Sequence, residues 1–406
     1  MNIRQILQNC GPGMVVAATG LGAGDIVAAA VAGAEFGTTL LWAVIVGSIL
    51  KFCLNEGIGR WQLLTGTTLL EGWIRHLPKF ISWYFMAYLL LWSFMVAAAM
   101  MAATGLAAYA LWPVFSVTTW GILHALVSFV IVLTGAWRLL EVLMKIFMVI
   151  MFVTILVCAA LVLPDSPGLL DGLLHPGIPD DSLATILSVM GGVGGSVTLM
   201  SYGYWMQEAG WKSADRVQTM RWDLGVAYTL TAVFAMAIVI LAAGIKPDVI
   251  AGNNMAVAVA EQLVPYAGNV GKWLFLFGFW GAVASSMLGV WHGVPYLFAN
   301  FMIHSRKQTT VVASEQSITR STTYRWYLAA MCFLPMTLLV VGRPVWIVVI
   351  YAVTGAFFMP LLAGLLLWMN SKRRWLGEAG NGRSMRLCLW LCLFLFGYLL
   401  FTAPSA

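Results

Sequence analysis

Eleven apolar segments follow one another along this chain, at residues 11–33, 39–63, 83–111, 115–134, 140–163, 184–208, 222–244, 271–300, 322–342, 344–368 and 384–403. Each is near the roughly 20 residues that carry an α-helix across a bilayer. Backbone N–H and C=O groups find no water in hydrocarbon, so only helices and closed barrels cross it. The alternating segments of about ten residues that mark barrel strands are absent. The expectation is an all-α membrane protein with eleven transmembrane helices, named spans 1 to 11 in the order above. Composition agrees, with 61% hydrophobic and 9% charged residues and a mean hydropathy of +0.89, where a soluble domain carries about 25% charged residues. The start of the chain, with Arg4 and an early Gly11-Pro12, reads as leading into span 1 and not as a removable leader.

The net charge of +6 is distributed as topology, which argues against a nucleic-acid partner. Arg4 precedes span 1. Arg60, Arg75 and Lys79 lie between spans 2 and 3, and Arg138 and Lys145 near the join of spans 4 and 5. Lys212, Arg216 and Arg221 lie between spans 6 and 7, and Arg306, Lys307, Arg320 and Arg325 between spans 8 and 9. Lys372, Arg373, Arg374, Arg383 and Arg386 lie between spans 10 and 11. Together these are 18 of the 22 basic residues, all on one face if the spans alternate. Basic loops stay in the cytoplasm. The N-terminus is therefore expected inside a bacterial-type inner membrane and the C-terminus outside, with the acidic loop "PDSPGLLDGLLHPGIPDD" (164–181) on the outer face. The six cysteines are scattered and imply no disulfide framework; Cys388 and Cys392, four apart on span 11, read as small packing residues before a metal pair.

Two spans are written differently from the rest. Span 1 contains "TGLGAGDIVAAA" (19–30) and span 6 "GGVGGSVTLMSYGYW" (191–205). They open two halves of five spans each, at about 11–163 and 184–368, with 384–403 as an extra helix in a single transmembrane domain, 1–406. Glycine-interrupted segments at matching places in two halves point to a transporter's binding site. An unwound helix exposes carbonyls that can hold a cation, and its half-helix ends add partial charges. Close helix packing explains glycines equally well. It does not explain Asp25, whose charge costs at least about 2.5–3.5 kcal/mol near the midplane.

The stretch "GPGMVVAATGLGAGDIVAAAVAGAEFGTTLLW" (11–42) resembles the first helix of the Nramp family of divalent metal transporters. "LLTG" (63–66), "RLLE" (138–141), "GLLHPGIP" (172–179), "ASSMLGVWHG" (284–293) and "MPLLAGLLLW" (359–368) are similar to landmarks of the same family. The resemblance covers about nine-tenths of the chain. It implies a LeuT-like inverted five-helix repeat, spans 1–5 and 6–10, with broken helices 1 and 6. It also implies inward transport of Mn²⁺ or Fe²⁺, usually proton-coupled, with no resident cofactor; a monomer is expected.

The chain departs from the family where the chemistry lies. In place of Asp-Pro-Gly-Asn it reads Gly22-Ala23-Gly24-Asp25, so one carboxylate remains, moved by three residues. The carbonyl ligand upstream falls on Thr19. In place of Ala-x-x-Met-Pro-His, one register puts Ser196 and Leu199 at the carbonyl and Met positions and the other puts Val197 and Met200 there; the Pro-His pair is absent in both. The acidic pair of span 3 is replaced by "AAAMMAATGLAA" and the glutamine of span 10 falls in "WIVVIYAVTG", which brings the family's proton route into question. Oxygen ligands suit Mg²⁺ and a thioether favours softer ions, so a Met200 facing the site would favour Mn²⁺ or Fe²⁺ and one facing away would admit Mg²⁺.

Other polar residues carry weaker signals. Span 2 contains "KFCLNEGIGR" (51–60), where Lys51 with Asn55 and Glu56 with Arg60 are spaced as helical neighbours. They read as a buried packing cluster, or as a relay in which Lys51 or Glu56 replaces the missing span 3 acids and Lys51 neutralises Asp25. Tyr202 and Tyr204 follow the span 6 break and could gate it, or simply be interfacial aromatics. His124 and His292 read as packing residues. With no HExxH, no Ser/His/Asp set and no nucleotide loop, an enzyme or ATP-driven pump is not expected. A secondary transporter of a divalent cation is the first reading, and a transporter of the same fold for an amino acid or organic cation the second.

Overall fold

The computed structural model describes residues 11–13, 16, 17, 22–134, 138–162, 168–211, 213–307 and 318–402. Every regular element among them is helical. Eight helices are long and apolar enough to cross a membrane: Leu41–Thr65, Lys79–Leu111, Val117–Thr134, Leu183–Gln207, Ala214–Ala242, Val264–Ile303, Thr322–Val341 and Pro344–Met369. They correspond to spans 2, 3, 4 and 6 to 10. Helices Ala23–Phe36, Arg138–Val162 and Arg383–Thr402 occupy the places expected of spans 1, 5 and 11.

Span 3 shows why its sequence could be so apolar and so small. Its 33 residues would extend about 50 Å at 1.5 Å per residue, more than the roughly 30 Å hydrocarbon core, so it must tilt or project. Ala97, Ala98, Ala99, Ala102 and Ala103 are all buried. Their small size lets neighbours approach the middle of the bundle. Span 8 is its counterpart, a run from Val264 to Lys307 with non-helical backbone at Gly268 and Pro295 inside.

The two halves interlock with matched contacts. Span 1 packs on span 7 and span 6 packs on span 2; span 3 packs on span 10 and span 8 on span 5. These pairs exchange when residues of one half are mapped onto the other, as expected of a five-span repeat. Large apolar side chains remain exposed on the outside, among them Leu91, Val127, Val153 and Phe394. Such a surface suits lipid.

Loops sort to two ends. At one end Arg60 donates to the Gly380 carbonyl at 2.7 Å and to Asn381 Oδ1 at 2.8 Å, joining the end of span 2 to the connection between spans 10 and 11. At the other, Trp42 Nε1 donates to the Gly177 carbonyl at 2.9 Å, docking the 172–179 loop onto the start of span 2. This is the division that alternation of the spans requires.

Spans 1 and 6 meet backbone to backbone. A Cβ placed on Gly192 would lie 2.8 Å from the Gly24 carbonyl oxygen and 3.0 Å from its carbon. Gly192→Val should therefore lower the melting temperature in detergent, since overpacking costs about 1–3 kcal/mol. Gly225→Ala has nothing within 4 Å of the added carbon and should leave stability unchanged or raised by about 0.4–1 kcal/mol. Thermal unfolding read by fluorescence-detected size exclusion separates the two; equal midpoints would refute the close approach.

Candidate functional site

The interruption of span 6 is built from glycines with two separate tasks. Helix Leu183–Gly192 ends where Val193 turns to φ −47°, ψ 114°. Gly194 and Gly195 follow at φ +71° and +79°, left-handed backbone that side chains rarely adopt. A short 3₁₀ segment, Val197–Ser201, leads into helix Tyr202–Glu208. Gly191 and Gly192, in contrast, remain helical and are needed for closeness: a Cβ on Gly191 would lie 2.0 Å from the Ala352 carbonyl oxygen of span 10. Both readings of the glycine cluster hold, each for different residues. In span 1, Gly22 is extended, at φ −123° and ψ −152°, and the helix begins at Ala23. Thr19, the expected carbonyl donor, lies outside the described residues.

The carbonyls freed by the span 6 break are occupied by a side chain. Lys51, fully buried, donates from Nζ to the Gly191 carbonyl at 2.7 Å and to the Gly195 carbonyl. Ser196 Oγ donates to the same Gly191 oxygen at 2.8 Å, which fills both lone pairs of that carbonyl. The Ser196 carbonyl accepts from Leu199 N–H at 3.1 Å, so it is engaged in the 3₁₀ turn. Asn55 does not pair with Lys51; its Nδ2 donates to the Tyr228 hydroxyl at 3.3 Å.

Asp25 faces the same break. It is 1% exposed, and its Oδ1 accepts from Gly194 N–H at 3.2 Å. Its Oδ2 is buried with no hydrogen-bond donor among the described residues. The Lys51 ammonium acts on it electrostatically. A buried charge stripped of water is costly unless compensated, and here Oδ2 has no donor within hydrogen-bond distance among the described residues, although the Gly22 and Asp25 N–H groups also act on the carboxylate.

Beside the break lies a small cavity of about 20 Å³, walled by spans 1, 3, 6, 8 and 10. Gly22 and Gly24 form one wall, Gly192 and Gly195 another. Of the 3₁₀ segment, Thr198 and Ser201 line it; Leu199 and Met200 are buried elsewhere and do not. The sulfur in the wall belongs to Met100 of span 3. Ser286 of span 8 also lines it, 3% exposed and with its Oγ unpartnered among the described residues. Trp205 and Tyr351 are the aromatic walls. Tyr202 and Tyr204 are not: Tyr204 accepts from Asn300 Nδ2 at 2.7 Å, and Tyr202 donates to Asp223 Oδ2 at 3.3 Å. No group of three or more His, Cys, Asp or Glu side chains converges among the described residues. A cation here would find hydroxyls, carbonyls and a thioether; Asp25 and Lys51 lie at the break but are not among the residues that line the cavity.

Glu56 belongs to a different assembly. Its two oxygens pair with Arg60 at 3.0 Å and with Arg221 at 2.9 Å, which ties span 2 to span 7 and favours the packing role. His124 is likewise satisfied, accepting from Trp280 at 2.9 Å. Cys53 and Cys388 are free thiols on spans 2 and 11. Asp223, absent from the sequence expectations, accepts from Gly11 N–H at 3.2 Å and Gly13 N–H at 2.5 Å.

The Lys51 contacts make a measurable claim. Hydrogen bonds from a charged donor contribute about 1.5–3 kcal/mol each, so Lys51→Ala should destabilise by about 3 kcal/mol or more. Combined with Asp25→Asn it should cost less than the sum of the single changes, because removing one charge relieves the other. A double-mutant cycle on chemical unfolding in detergent tests this; strict additivity would mean that the two charges do not sense each other.

Comparison with known proteins follows the same lines. The sequence profile of the Nramp family, described as natural resistance-associated macrophage protein-like, matches residues 13–402. An uncharacterized protein of Pasteurella multocida is 24% identical over 276 residues, which span 65% of this chain and 62% of that protein. The manganese transporter of Eremococcus coleocola, solved with an aromatic bis-isothiourea substituted compound, superposes with a TM-score of 0.75 at 15% identity, over 99% of this chain and 89% of that one. MhsT, solved with L-phenylalanine, superposes with a TM-score of 0.62 at 15% identity, over 96% of each chain. Likeness at these identities is likeness of fold, and it is the LeuT-like fold expected from the broken spans. The profile match over nearly the whole length fixes the lineage: this chain is a membrane protein of the Nramp family.

Proposed function

We propose that this chain is a secondary transporter that moves a divalent metal cation across a bacterial-type inner membrane by alternating access. In this reading it acts as a monomer, with the N-terminus cytoplasmic and the C-terminus outside. The observation that carries the reading is Asp25 Oδ2: a carboxylate oxygen buried between two helix breaks, with no donor among the described residues. A cation supplies what that oxygen lacks. Family membership and the fold shared with a manganese transporter support the same choice.

The ligand set differs from the family's. The Thr198, Ser201 and Ser286 hydroxyls provide neutral oxygens, and Met100 takes over the thioether that Met200 does not bring to the cavity; Asp25, at the break but not in the cavity lining, provides the charge once the carboxylate turns toward the ion. A thioether favours Mn²⁺ or Fe²⁺ over Mg²⁺. Lys51 holds the break together while the site is empty, and its ammonium repels an arriving cation. Loss of its proton, or its withdrawal from Gly191 and Gly195, accompanies binding and gives proton coupling a route that needs no span 3 acids.

A second reading draws on the charges at the break, the aromatic walls and one neighbour of the same fold. The opposite charges of Asp25 and Lys51 and the aromatic walls Trp205 and Tyr351 would suit a zwitterion, and MhsT was solved with L-phenylalanine. Uptake into proteoliposomes of Mn²⁺, Mg²⁺ and L-phenylalanine, with internal pH followed in parallel, separates the readings. Mn²⁺ uptake that falls to the level of empty liposomes in Asp25→Asn is the expected result. Uptake of the amino acid alone would replace the metal reading. Met100→Ala should reduce Mn²⁺ uptake about tenfold more than Mg²⁺ uptake; equal losses would remove Met100 from the ligand set.

A further inference from the structure

The strongest contact that neither the cavity nor the helix breaks explain is at Asp223, on span 7. Its side chain is 2% exposed. Oδ1 accepts from Gly11 N–H at 3.2 Å, and Oδ2 from Gly13 N–H at 2.5 Å and from the Tyr202 hydroxyl at 3.3 Å. Gly11 and Gly13 begin the first half of span 1, before its interruption. Tyr202 begins the second half of span 6, after its interruption. One carboxylate thus holds the two half-helices that lie on the same side of the two breaks.

The local sequence is adapted to this contact. Pro12 has no N–H, so the donors at this turn are its neighbours. A Cβ on Gly13 would lie 2.6 Å from both Cγ and Oδ2 of Asp223, so glycine is the residue that lets the backbone come this close. Span 2 leaves room as well: a Cβ on Gly59 would lie 3.1 Å from the Tyr202 ring. The nearby ion pairs are not part of the latch. Arg221, two residues before Asp223, is turned to Glu56, so the carboxylate that holds Gly11 and Gly13 has backbone and hydroxyl donors as its partners.

We propose that Asp223 is the positioning residue that docks the first half of span 1 against the second half of span 6, and that its release opens the cavity toward the membrane face on which residue 11 lies. The proposal rests on the transporter reading, since only a transporter needs that opening. Alternating access requires at least one half-helix to leave its place while the rest of the span stays. The first half of span 1 is the one whose start is held by two hydrogen bonds to a single side chain, and the helix of the second half begins only after the extended Gly22. Asp223 touches neither the cavity wall nor Asp25, so it acts through the helix it holds.

The test reads exposure of the cavity and needs no transported ion. In a background with the six native cysteines replaced, Ser201→Cys puts a thiol in the cavity wall. A membrane-impermeant thiol reagent is then applied to each face of reconstituted vesicles in turn. Asp223→Asn should raise the labelling rate from the face of residue 11 about tenfold, the effect of losing a helix cap of ordinary strength, and leave the rate from the other face unchanged or lower. Gly13→Ala, which disturbs the same contact from the opposite side, should do the same, and remains informative if Asp223→Asn does not fold. Asp223→Glu, which keeps a carboxylate, should return the rate to within about twofold of the parent. Unchanged labelling in folded Asp223→Asn or Gly13→Ala protein, or a rise of equal size from both faces, overturns the proposal. Because labelling is independent of the cargo, a protein that fails to take up Mn²⁺ yet shows the one-sided rise loses the metal reading and keeps the latch.

Discussion

A helix cannot be interrupted in hydrocarbon unless something takes its freed carbonyls, and in this protein that something is the ammonium of Lys51. Its bonds to Gly191 and Gly195 let span 6 turn through left-handed backbone at Gly194 and Gly195. That turn points Gly194 N–H at Asp25 and brings Gly192 against Gly24. The cavity walls at Gly22, Gly24, Gly192 and Gly195 are in place because the break is held open. Burying an ammonium and a carboxylate is expensive even when they interact. The arrangement is therefore poorly explained as stabilisation, and the proposed binding role would account for its retention.

The charged groups of the bundle divide into two sets with different work. Lys51 and Asp25 lie at the breaks, each with partners from the backbone of another span. Glu56, Arg60 and Arg221, only one to three helical turns along span 2 or across to span 7, satisfy one another and the connection before span 11. The first set leaves a carboxylate oxygen without a donor among the described residues; the second uses both carboxylate oxygens. That difference, more than depth of burial, distinguishes a site from a brace.

Much of the fold is legible in the sequence because hydrocarbon is an unforgiving solvent. Apolar runs of the right length mark the spans, and the costs of glycine and of charge in them single out spans 1 and 6 and Asp25. Edges are less legible: span 3 begins at Lys79 rather than 83, since a lysine can extend its ammonium to the interface while its stem stays apolar. The choice between Leu199 and Met200 could not be resolved on a 3.6-residue period. The segment is a 3₁₀ helix, in which residues three apart eclipse, so Thr198 and Ser201 share the cavity face. Met100, Tyr351 and Ser286 carry no signal in sequence, because the rotation of a uniformly apolar helix is set only by its neighbours. The partners of Lys51 and of Asp223 are 140 and 210 residues away, beyond any local pattern.

That last separation has a consequence in time. Gly13 is synthesised 210 residues before the carboxylate that receives its N–H. At 5–20 residues per second the start of the first span waits roughly 10–40 s for its partner to emerge. Throughout that interval the segment can be inserted but not docked, and it becomes fixed only when the seventh span arrives. The half-span that carries Gly11 and Gly13 is thus tied to the bundle by a side chain that arrives long after it.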